Sequence, residues 1–334
     1  MLDSKKMLLG FVGAVLLSIP VLAQENGEKT FAAPSDASMA LYDAVKAGDK
    51  AAMEAVLGSS SQPLLSSGDE VEDKKNKEFF LQHYEQMNRW GKETNGDQTL
   101  FLGADNWPFP IPLKKNASGQ WYFNTKAGAD EVLFRRIGSN EFAAIRVCKA
   151  LADAQYEYFN GLHDGSAVHQ YAQKIISDPG KQNGLYWKTS EGEPQSPIGP
   201  IIAYATAEGY SNKTEPFHGY YYRVLTAQGA AAPGGAKSYI KNGAMTDGFA
   251  LVAWPAEYRN AGVMTFVVNL NGVIYEKDMG INTADLAKAM TAINPDKTWR
   301  VVSVETTEGR DPVTQSPSRT DGLLELTGKV FPIG

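Results

Sequence analysis

The stretch VMTFVVNLNGVIYEKDM, residues 263–279, carries the clearest fold signal in the chain. Apolar residues alternate with other residues on both sides of Asn271-Gly272. An Asn-Gly pair between two such runs is typical of a β-hairpin, because these residues tolerate the positive φ angles of the tight turn. The stretch therefore predicts two antiparallel strands joined by a short turn.

Two upstream runs extend this hairpin into a sheet. YYYRVLTAQ, residues 220–228, and FALVAWPAEY, residues 249–258, show the same period of two. Before them, NEFAAIRVCKALADAQYEYF at 140–159 has apolar residues at helical spacing, with Ser139 or its own first residue as N-cap. We expect a helix packed on an antiparallel sheet over residues 138–300. Shorter helices are predicted at 167–176, 198–207 and 284–293.

The N-terminal half opens with two short helical segments. Ser35 or Asp36 can cap the first helix, because their side chains can accept from free backbone N–H groups. Gly48 ends this helix, Asp49 caps the second, and Gly58 ends the second. These positions predict a helical pair at the start of the domain.

A third helix and a sheet complete this half. The helix is predicted at 70–90, and its charged part, EDKKNKE, is interpreted as a solvated face. Three strands are predicted at 99–103, 109–115 and 120–124. Three helices followed by a curled antiparallel sheet resemble the nuclear-transport-factor-2-like α+β cone. We therefore predict the fold class α+β, with an N-terminal domain at 35–137 and a C-terminal domain at 138–300.

The two ends of the chain have their own signals. Lys5 and Lys6 precede an apolar run that ends near Val21-Leu22-Ala23, which supplies the small residues that signal peptidase requires. The run is shorter than the roughly 20 residues that span a bilayer. We expect a signal peptide at 1–23, cleavage after Ala23, a periplasmic or secreted protein, and no membrane span after cleavage. A flexible leader is predicted at 24–34 and an extended tail at 301–334, with a strand possible at 323–330.

Composition excludes several functions. A net charge of −6 and a pI near 5.4 argue against nucleic acid as a partner, because phosphate binding needs a basic face. Cys148 is the single cysteine, so the chain forms no internal disulfide, and its place on the apolar face of a helix predicts an inert buried thiol. The four histidines match no zinc spacing. We expect no metal and no cofactor.

A glycine-rich stretch, GAAAPGGAKSY at 229–239, has two interpretations. A phosphate-binding loop needs its glycines directly before a helix, so that free N–H groups point at the anion. Here the segment after the glycines is short, aromatic and β-branched. The stretch therefore predicts a turn between strands, with no helix following Gly235.

Candidate binding residues cluster around HGYYYRV. In a strand, Tyr220 and Tyr222 point to one side while Tyr221 and Arg223 point to the other. One side must face the core, and the other is the best candidate for a ligand or partner surface. The predicted ligand-binding set is Trp187, His218, Tyr220, Tyr222, Arg223 and Trp254.

No catalytic constellation is recognisable in the sequence. His163, Asp164 and His169 can hold a metal, but a polar loop explains them better. An enzyme with a site between the halves, near Trp187, Glu191 and His218, is the alternative. A carboxylate from Glu191 or Glu193 within hydrogen-bond reach of His218 would favour that alternative.

Several long motifs are recognisable together: WPFPIPL, GQWYFNTKAGADEVLFRRIGSNEFAAI, PGKQNGLYW, EGEPQSPIGP, HGYYYRVLTAQGAAAPGG, GFALVAWPAEY and GVMTFVVNLNGVIYEKDMG. Over residues 34–300 the chain resembles a bacterial exported family catalogued only as a domain of unknown function, number two-nine-five-zero. The resemblance implies export but no activity. Many members have an acidic Asp-Gly-Asp-Gly loop, whereas this chain reads GLHDG at 161–165, which weakens a calcium site here.

The C-terminal half is also similar to the globular domain of type IV pilins and pseudopilins, in which a helix packs across an antiparallel sheet. A prepilin has Glu five residues after its processed glycine, whereas the position five after Gly10 is Val15. Filament assembly is therefore not implied.

The sequence thus favours an uncharacterised envelope protein without enzymatic activity. Its partner would be an envelope protein or a small molecule, and a purely structural role differs only in lacking a pocket. The alternative is a hydrolase-type enzyme with its site between the two halves.

Overall fold

A computed structural model describes residues 28–190, 192–210 and 215–302. The predicted signal peptide, the start of the leader, Glu191 and the tail from residue 303 lie outside the described residues. The described chain combines helices with antiparallel sheets, and the predicted class, α+β, is confirmed.

The N-terminal half packs three α-helices on a sheet. The helices are α1 (Pro34–Ala47), α2 (Lys50–Leu57) and α3 (Glu70–Gln86), with a 3₁₀ segment at Ser59–Leu64. The strands are β1 (Asn88–Lys92), β2 (Gln98–Leu102), β3 (Trp107–Pro108), β4 (Leu113–Lys115) and β5 (Trp121–Phe123). Their order is β1-β2-β4-β5, and β3 also pairs with β2.

The capping residues at the end of α1 and at the start of α2 are those predicted. Gly48 has a φ of 65° after α1, and the Asp49 side chain accepts from Ala52 N at the start of α2. The start of α1 differs from the prediction, because Ala33 is its N-cap. Asp36 instead reaches back to accept from Ala33 N at 3.3 Å. Asp36 thus stabilises the helix start from inside the first turn.

The central helix is longer than predicted. It is α4 (Thr125–Phe159), about 52 Å long, and Asn124 caps it by accepting from Ala127 N. The predicted start at Ser139 or Asn140 is therefore wrong. Glycine, serine and asparagine at 138–140 are typical of a helix start. Here the packing of both halves on α4 overrides the weak helix propensity of these residues.

Two hydrophobic clusters lie along α4. The N-terminal cluster includes Val132, whereas the C-terminal cluster includes Ala144 and Val147. The helix crosses the predicted boundary between residues 137 and 138, and the division into two domains stays a prediction.

The C-terminal half is built on one five-stranded antiparallel sheet. Its strands are β8 (Tyr220–Leu225), β13 (Ala250–Pro255), β14 (Met264–Val268), β15 (Ile274–Asp278) and β17 (Arg300–Val301), in the order β17-β15-β14-β13-β8. The predicted hairpin is confirmed: Val268 pairs with Ile274, and Gly272 has a φ of 74°. One face of the sheet contacts α4, and α6 (Thr283–Ala289) packs on β13.

Short elements complete this half. They are β6 (Lys174–Ile176), β7 (Gly184–Tyr186), α5 (Gly199–Glu208), β9 (Ala227–Gln228), β10 (Lys237–Ser238), β11 (Ile240–Lys241), β12 (Ala244–Met245) and β16 (Ala292–Ile293). The helix predicted at 198–207 corresponds to α5. The helix predicted at 167–176 is wrong, because its end forms β6, which pairs in parallel with β7. The predicted closing helix stops at Ala289, because the residues after it form β16 beside β9.

The glycine-rich stretch is a turn, as predicted. Gln228 of β9 pairs with Lys237 of β10, and no helix follows Gly235 in this described segment. The Gln228 amide donates to the carbonyl oxygens of Pro233 and Gly235 at 2.8 and 2.7 Å. A side-chain amide therefore fills the centre of the loop, where a phosphate would have to bind.

Gly128 is required where α4 crosses the proline-rich loop. A Cβ atom built there would lie 2.7 Å from Ile111 Cα and 2.8 Å from Pro110 O. We expect Gly128→Ala to lower the free energy of unfolding by about 1–3 kcal/mol, because backbone must move to admit the methyl group. The matched control is Gly138→Ala in the same helix, where a Cβ meets no atom within 4 Å. In dilute protein, its stability should be unchanged or higher by up to about 1 kcal/mol. Urea unfolding measures both, and equal effects would contradict this account of Gly128.

Candidate functional site at the junction of the two halves

The start of α3 joins the two halves through Asp69. This residue is the N-cap of α3, and its Oδ1 accepts from the backbone N–H groups of Val71 and Glu72 at 3.1 Å. Its other oxygen, Oδ2, accepts from the Tyr210 hydroxyl at 2.8 Å and from Gly219 N at 3.1 Å. One carboxylate therefore caps a helix of the N-terminal half and binds two groups of the C-terminal half.

A half-buried ion network lies one helical turn further along α3. Glu72 Oε1 is 2.9 Å from His218 Nδ1, and Glu208 Oε2 of α5 is 3.8 Å from His218 Nε2. Lys75 Nζ lies 2.7 Å from Glu208 Oε1 and 3.5 Å from Glu72 Oε1. The Tyr204 hydroxyl also donates to Glu208 Oε1, at 2.5 Å. Histidine and lysine thus link carboxylates from both halves.

Burial and hydrogen bonding set the charges of this network. Burial raises the pKa of Asp69, and its hydrogen bonds offset only part of that effect. Burial also acts to raise the pKa of Glu72, but the hydrogen bond from His218 and the charges of His218 and Lys75 prevail, so this pKa lies below its ordinary value. Burial, together with nearby carboxylates, raises the pKa of Tyr210 and of Tyr204. Both phenols therefore remain protonated donors at neutral pH.

The loop that carries His218 has a constrained backbone. His218 has a φ of 50°, a region that non-glycine residues rarely occupy and that costs about 1 kcal/mol or more. At Gly219, a Cβ atom would lie 2.5 Å from the side-chain nitrogen of Asn140 in α4. The contacts to α3 and α4 hold the loop in this conformation.

A second polar contact joins the halves at Arg136 of α4. Its buried guanidinium donates to the carbonyl oxygens of Leu64 and Ser66, at 2.7 and 3.2 Å, and to the side chain of Asn260. Burial lowers the pKa of this guanidinium, but arginine stays charged in proteins. The two halves are therefore joined by Arg136 as well as by Asp69 at the start of α3.

A divalent cation is the ligand that this cluster suggests first. Ligand atoms of Glu72, Glu208 and His218 lie within 4.8 Å of one another. However, the Lys75 ammonium already bridges the two carboxylates at 2.7 and 3.5 Å. A cation between these oxygens would have to displace Lys75, so the arrangement fits an ion network better than a metal centre.

The predicted binding residues do not form one surface. Tyr220 and Tyr222 donate from their hydroxyls to the carbonyl oxygens of Met264 and Phe217, at 3.0 and 3.3 Å. The Arg223 guanidinium lies 5.9 Å from the Trp254 ring on the opposite face of the sheet. There it donates to three carbonyl oxygens at the end of α6, those of Ala287, Lys288 and Met290. Both faces of β8 are therefore covered by the chain itself.

The remaining two predicted residues lie apart from that strand. Trp187 packs near Tyr158 and His163, with ring centroids 6.3 and 5.4 Å away. His218 belongs to the junction. Its carboxylate partners are Glu72 and Glu208, whereas the Glu193 side chain accepts from Ser190 N within its own loop.

Among the junction carboxylates, only Glu72 lies in EDKKNKE, the stretch that the sequence predicts to be a solvated face. That interpretation is wrong for Glu72, Lys75 and Asn76, which are at least partly buried. Asp69, Glu72 and Asn76 follow the helical spacing of Phe80 and His83, which lie on the predicted inner face of the helix. That shared stripe is the signal that could have identified them.

An apolar cavity of about 100 Å³ lies inside the N-terminal half. Its walls come from all three helices of this half, from α4 and from the proline-rich loop, and they include Leu41, Leu57, Phe80, Phe109, Ile111 and Val132. Asn76 of α3 also lines it and is only 9% exposed. Its Oδ1 is buried and has no hydrogen-bond partner among the described residues. Asp73 and Lys77 of the same helix also line the cavity. The cavity therefore combines mostly apolar walls with polar side chains of α3, of which Asn76 has a buried acceptor without a donor.

A family model described as "Protein of unknown function (DUF2950)" matches residues 28–302. Comparisons with curated proteins and with solved structures gave no match. The cone-like and pilin-like descriptions of the two halves stay predictions. Within the described residues, no helix combines the length and the apolar character that crossing a membrane requires.

Glu72 should make the junction sensitive to acid. Because its pKa is lowered in the folded protein, its stabilisation is complete above the ordinary value of 4.5 and is lost as the pH falls through the lower folded value. We expect Glu72→Gln to cost about 1–2 kcal/mol of unfolding free energy at pH 7 and to weaken the loss of stability below pH 4.5. Asp69, with a raised pKa, acts with the opposite sign and does not explain that loss.

Urea unfolding between pH 7 and pH 3.5 measures this effect. The matched control is Glu78→Gln, an exposed carboxylate on the same helix. The control should follow the wild-type curve at every pH. If the unfolding free energies of Glu72→Gln and the wild type fell in parallel with pH, the Glu72 carboxylate would not be the source of the acid sensitivity.

Proposed function

We propose that this chain, which belongs to the DUF2950 family, is an exported envelope protein that binds a small amphipathic molecule and has no catalytic activity. The basic and apolar N-terminus and the small residues before Gln24 support export to the periplasm or beyond. The family itself is of unknown function, so the binding role rests on the chain's own cavity.

The cavity in the N-terminal half is the observation that carries this proposal. Protein interiors are close-packed, and an apolar void costs stability through lost contacts. Asn76 adds a second cost, because a buried acceptor without a donor loses its hydrogen bonds to water. A ligand that fills the void and donates to Asn76 Oδ1 would remove both costs.

These properties define the ligand class. A volume near 100 Å³ admits an apolar body about the size of one aromatic ring or a short alkyl chain. The acceptor oxygen selects a hydroxyl or N–H group on that body. A larger molecule could bind by placing such a group in the cavity and the rest of its structure outside.

A hydrolase with its site between the halves is the second candidate. The hydrogen bond that Glu72 accepts from His218 favours it, since a carboxylate can orient a histidine base. Against it, His218 Nε2 faces Glu208, and no serine, threonine or cysteine side chain is hydrogen-bonded to His218 in the described part of the chain. Turnover of p-nitrophenyl acetate that His218→Gln abolishes would support this second function.

Phenol and toluene test the cavity, because they are similar in size but only phenol has a group that can donate a hydrogen bond. We expect phenol at ten times its Kd to raise the Tm by about 3–5 °C. Toluene should bind more weakly, because it cannot donate to Asn76. In Asn76→Leu the affinity for phenol should fall about five- to tenfold, while toluene binds at least as well as before.

Calorimetric titration and thermal unfolding measure these effects. The cavity-filling variant Val132→Phe should bind neither molecule, and Leu286→Phe on the exposed side of α6 is the matched control. Equal affinity of wild type and Val132→Phe for phenol would rule out this cavity as the binding site.

Export is tested by the mass of the protein itself. We expect full-length gene product recovered from the envelope of an exporting host to begin at Gln24, because signal peptidase cuts after small residues at −3 and −1. Mass spectrometry under denaturing conditions reads this mass, and native conditions show any ligand that co-purifies. A product that retains residues 1–23 in the cytoplasm would contradict the proposed localisation.

A further inference from the structure

The solvent-facing side of α4 carries an unusual pair of aromatic residues. Phe134 is 74% exposed and Phe142 is 68% exposed. They are eight residues apart, so they lie on the same side of the helix about 12 Å from each other along its axis. Gly138 lies midway between them on this side.

Packing within the described residues does not require a glycine at position 138. A Cβ atom at this position would meet no atom within 4 Å, and the residue sits inside a regular helix. Glycine there costs up to about 1 kcal/mol relative to alanine. Close approach by another helix would account for it, since a missing side chain lets two helix backbones come together.

A groove beside Phe142 complements the Phe134 side chain. It lies between α4 and the edge strand β17, has a volume of about 410 Å³, and is lined by Gly138, Phe142, Ile145, Val301 and other residues. Val301 is 59% exposed. The other lining residues include Glu141, Glu276 and Arg300, so the groove has an apolar part, formed by Phe142, Ile145 and Val301, beside a charged part. The apolar part can contact an aromatic ring.

We propose that two copies of this chain form a dimer in which their α4 helices cross antiparallel at Gly138. A two-fold axis through this point places Phe134 of each copy opposite Phe142 of the other. Each Phe134 ring then enters the groove between Phe142, Ile145 and Val301 of the second copy. The contact is isologous, because the Phe134 side chain and the groove beside Phe142 lie at equal distances on either side of the two-fold axis.

The charges along α4 favour this direction. Asp130 and Glu131 are exposed before Phe134, and Lys149 is exposed after Phe142. Glu131 also pairs with Arg135 of its own helix, so Lys149 of the second copy would share this carboxylate with Arg135. Glu131 lies about 10 Å from Gly138 along the axis, and Lys149 lies about 16 Å away on the other side. An antiparallel crossing therefore brings Glu131 near Lys149 of the second copy, within reach of these long side chains. A parallel crossing would place like charges together.

A cysteine at the crossing point tests the geometry directly. In the full-length chain, Gly138→Cys should form a disulfide-linked dimer under mild oxidation, because a two-fold axis brings residue 138 of both copies together. The native thiol does not interfere: Cys148 is fully buried, and burial raises its pKa to about 12. The matched control is Met39→Cys, at a residue 58% exposed on α1. Linkage of Gly138→Cys no faster than Met39→Cys would overturn the proposal.

Light scattering after size-exclusion chromatography tests the contact without cross-linking. The wild type should have twice the mass of the denatured chain. Phe134→Glu and Phe142→Glu should each raise the dimer Kd at least about a hundredfold, because each substitution acts twice across the axis. Met39→Glu should remain dimeric, and the Tm of all variants at low concentration should match.

Two results of the light-scattering experiment would also overturn the dimer. One is a wild type that stays monomeric at about 100 µM, which would also be the outcome if another segment of the chain covered this face. The other is a dimer that Phe134→Glu leaves intact. Neither result bears on phenol binding, so this inference and the proposed function fail independently.

Discussion

The carboxylate of Asp69 is the contact on which the arrangement of the two halves depends. One oxygen accepts from the free N–H groups at the start of α3, and the other accepts from Tyr210 and Gly219. Because the same charge satisfies both sets of donors, the position of α3 and the position of the His218 loop are fixed together. The ion network of Glu72, Lys75, His218 and Glu208 follows from that placement, since its members project from the elements that Asp69 aligns.

The junction and the cavity differ in how far their groups are satisfied. At the junction, carboxylates, phenols and cations form pairs within hydrogen-bond distance. In the cavity, mostly apolar walls surround a volume of about 100 Å³, and Asn76 Oδ1 is a buried acceptor without a donor among the described residues. Glu208 Oε2 at the junction is also buried without a hydrogen-bond partner there, but the other oxygen of the same carboxylate accepts from Tyr204 and pairs with Lys75. For this reason the polar cluster is better explained as a structural contact, and the cavity is the site that we propose for ligand binding.

Features that depend on neighbouring residues could be predicted from the sequence, and features that depend on distant residues could not. The hairpin at Asn271-Gly272, the ends of α1 and α2, and the turn at 229–239 follow from local backbone preferences. The true start of α4 did not, because packing from both halves overrides the weak propensity at 138–140. In the junction, only His218 was predicted, since Glu72 lies 146 residues away and the pairing leaves no local pattern. The cavity is likewise a property of several packed elements, and no single segment encodes it.

The length of α4 has a consequence for how the protein loses its structure. One continuous helix supplies Val132 to one hydrophobic cluster and Val147 to the other. Unfolding at either end of α4 therefore weakens the one helix against which both hydrophobic clusters pack. Separate domains on a flexible linker can melt one at a time, but two cores built on one helix tend to open as a single cooperative unit. Damage to one half is therefore transmitted to the other, and partly folded states that would expose a core to proteases are kept scarce.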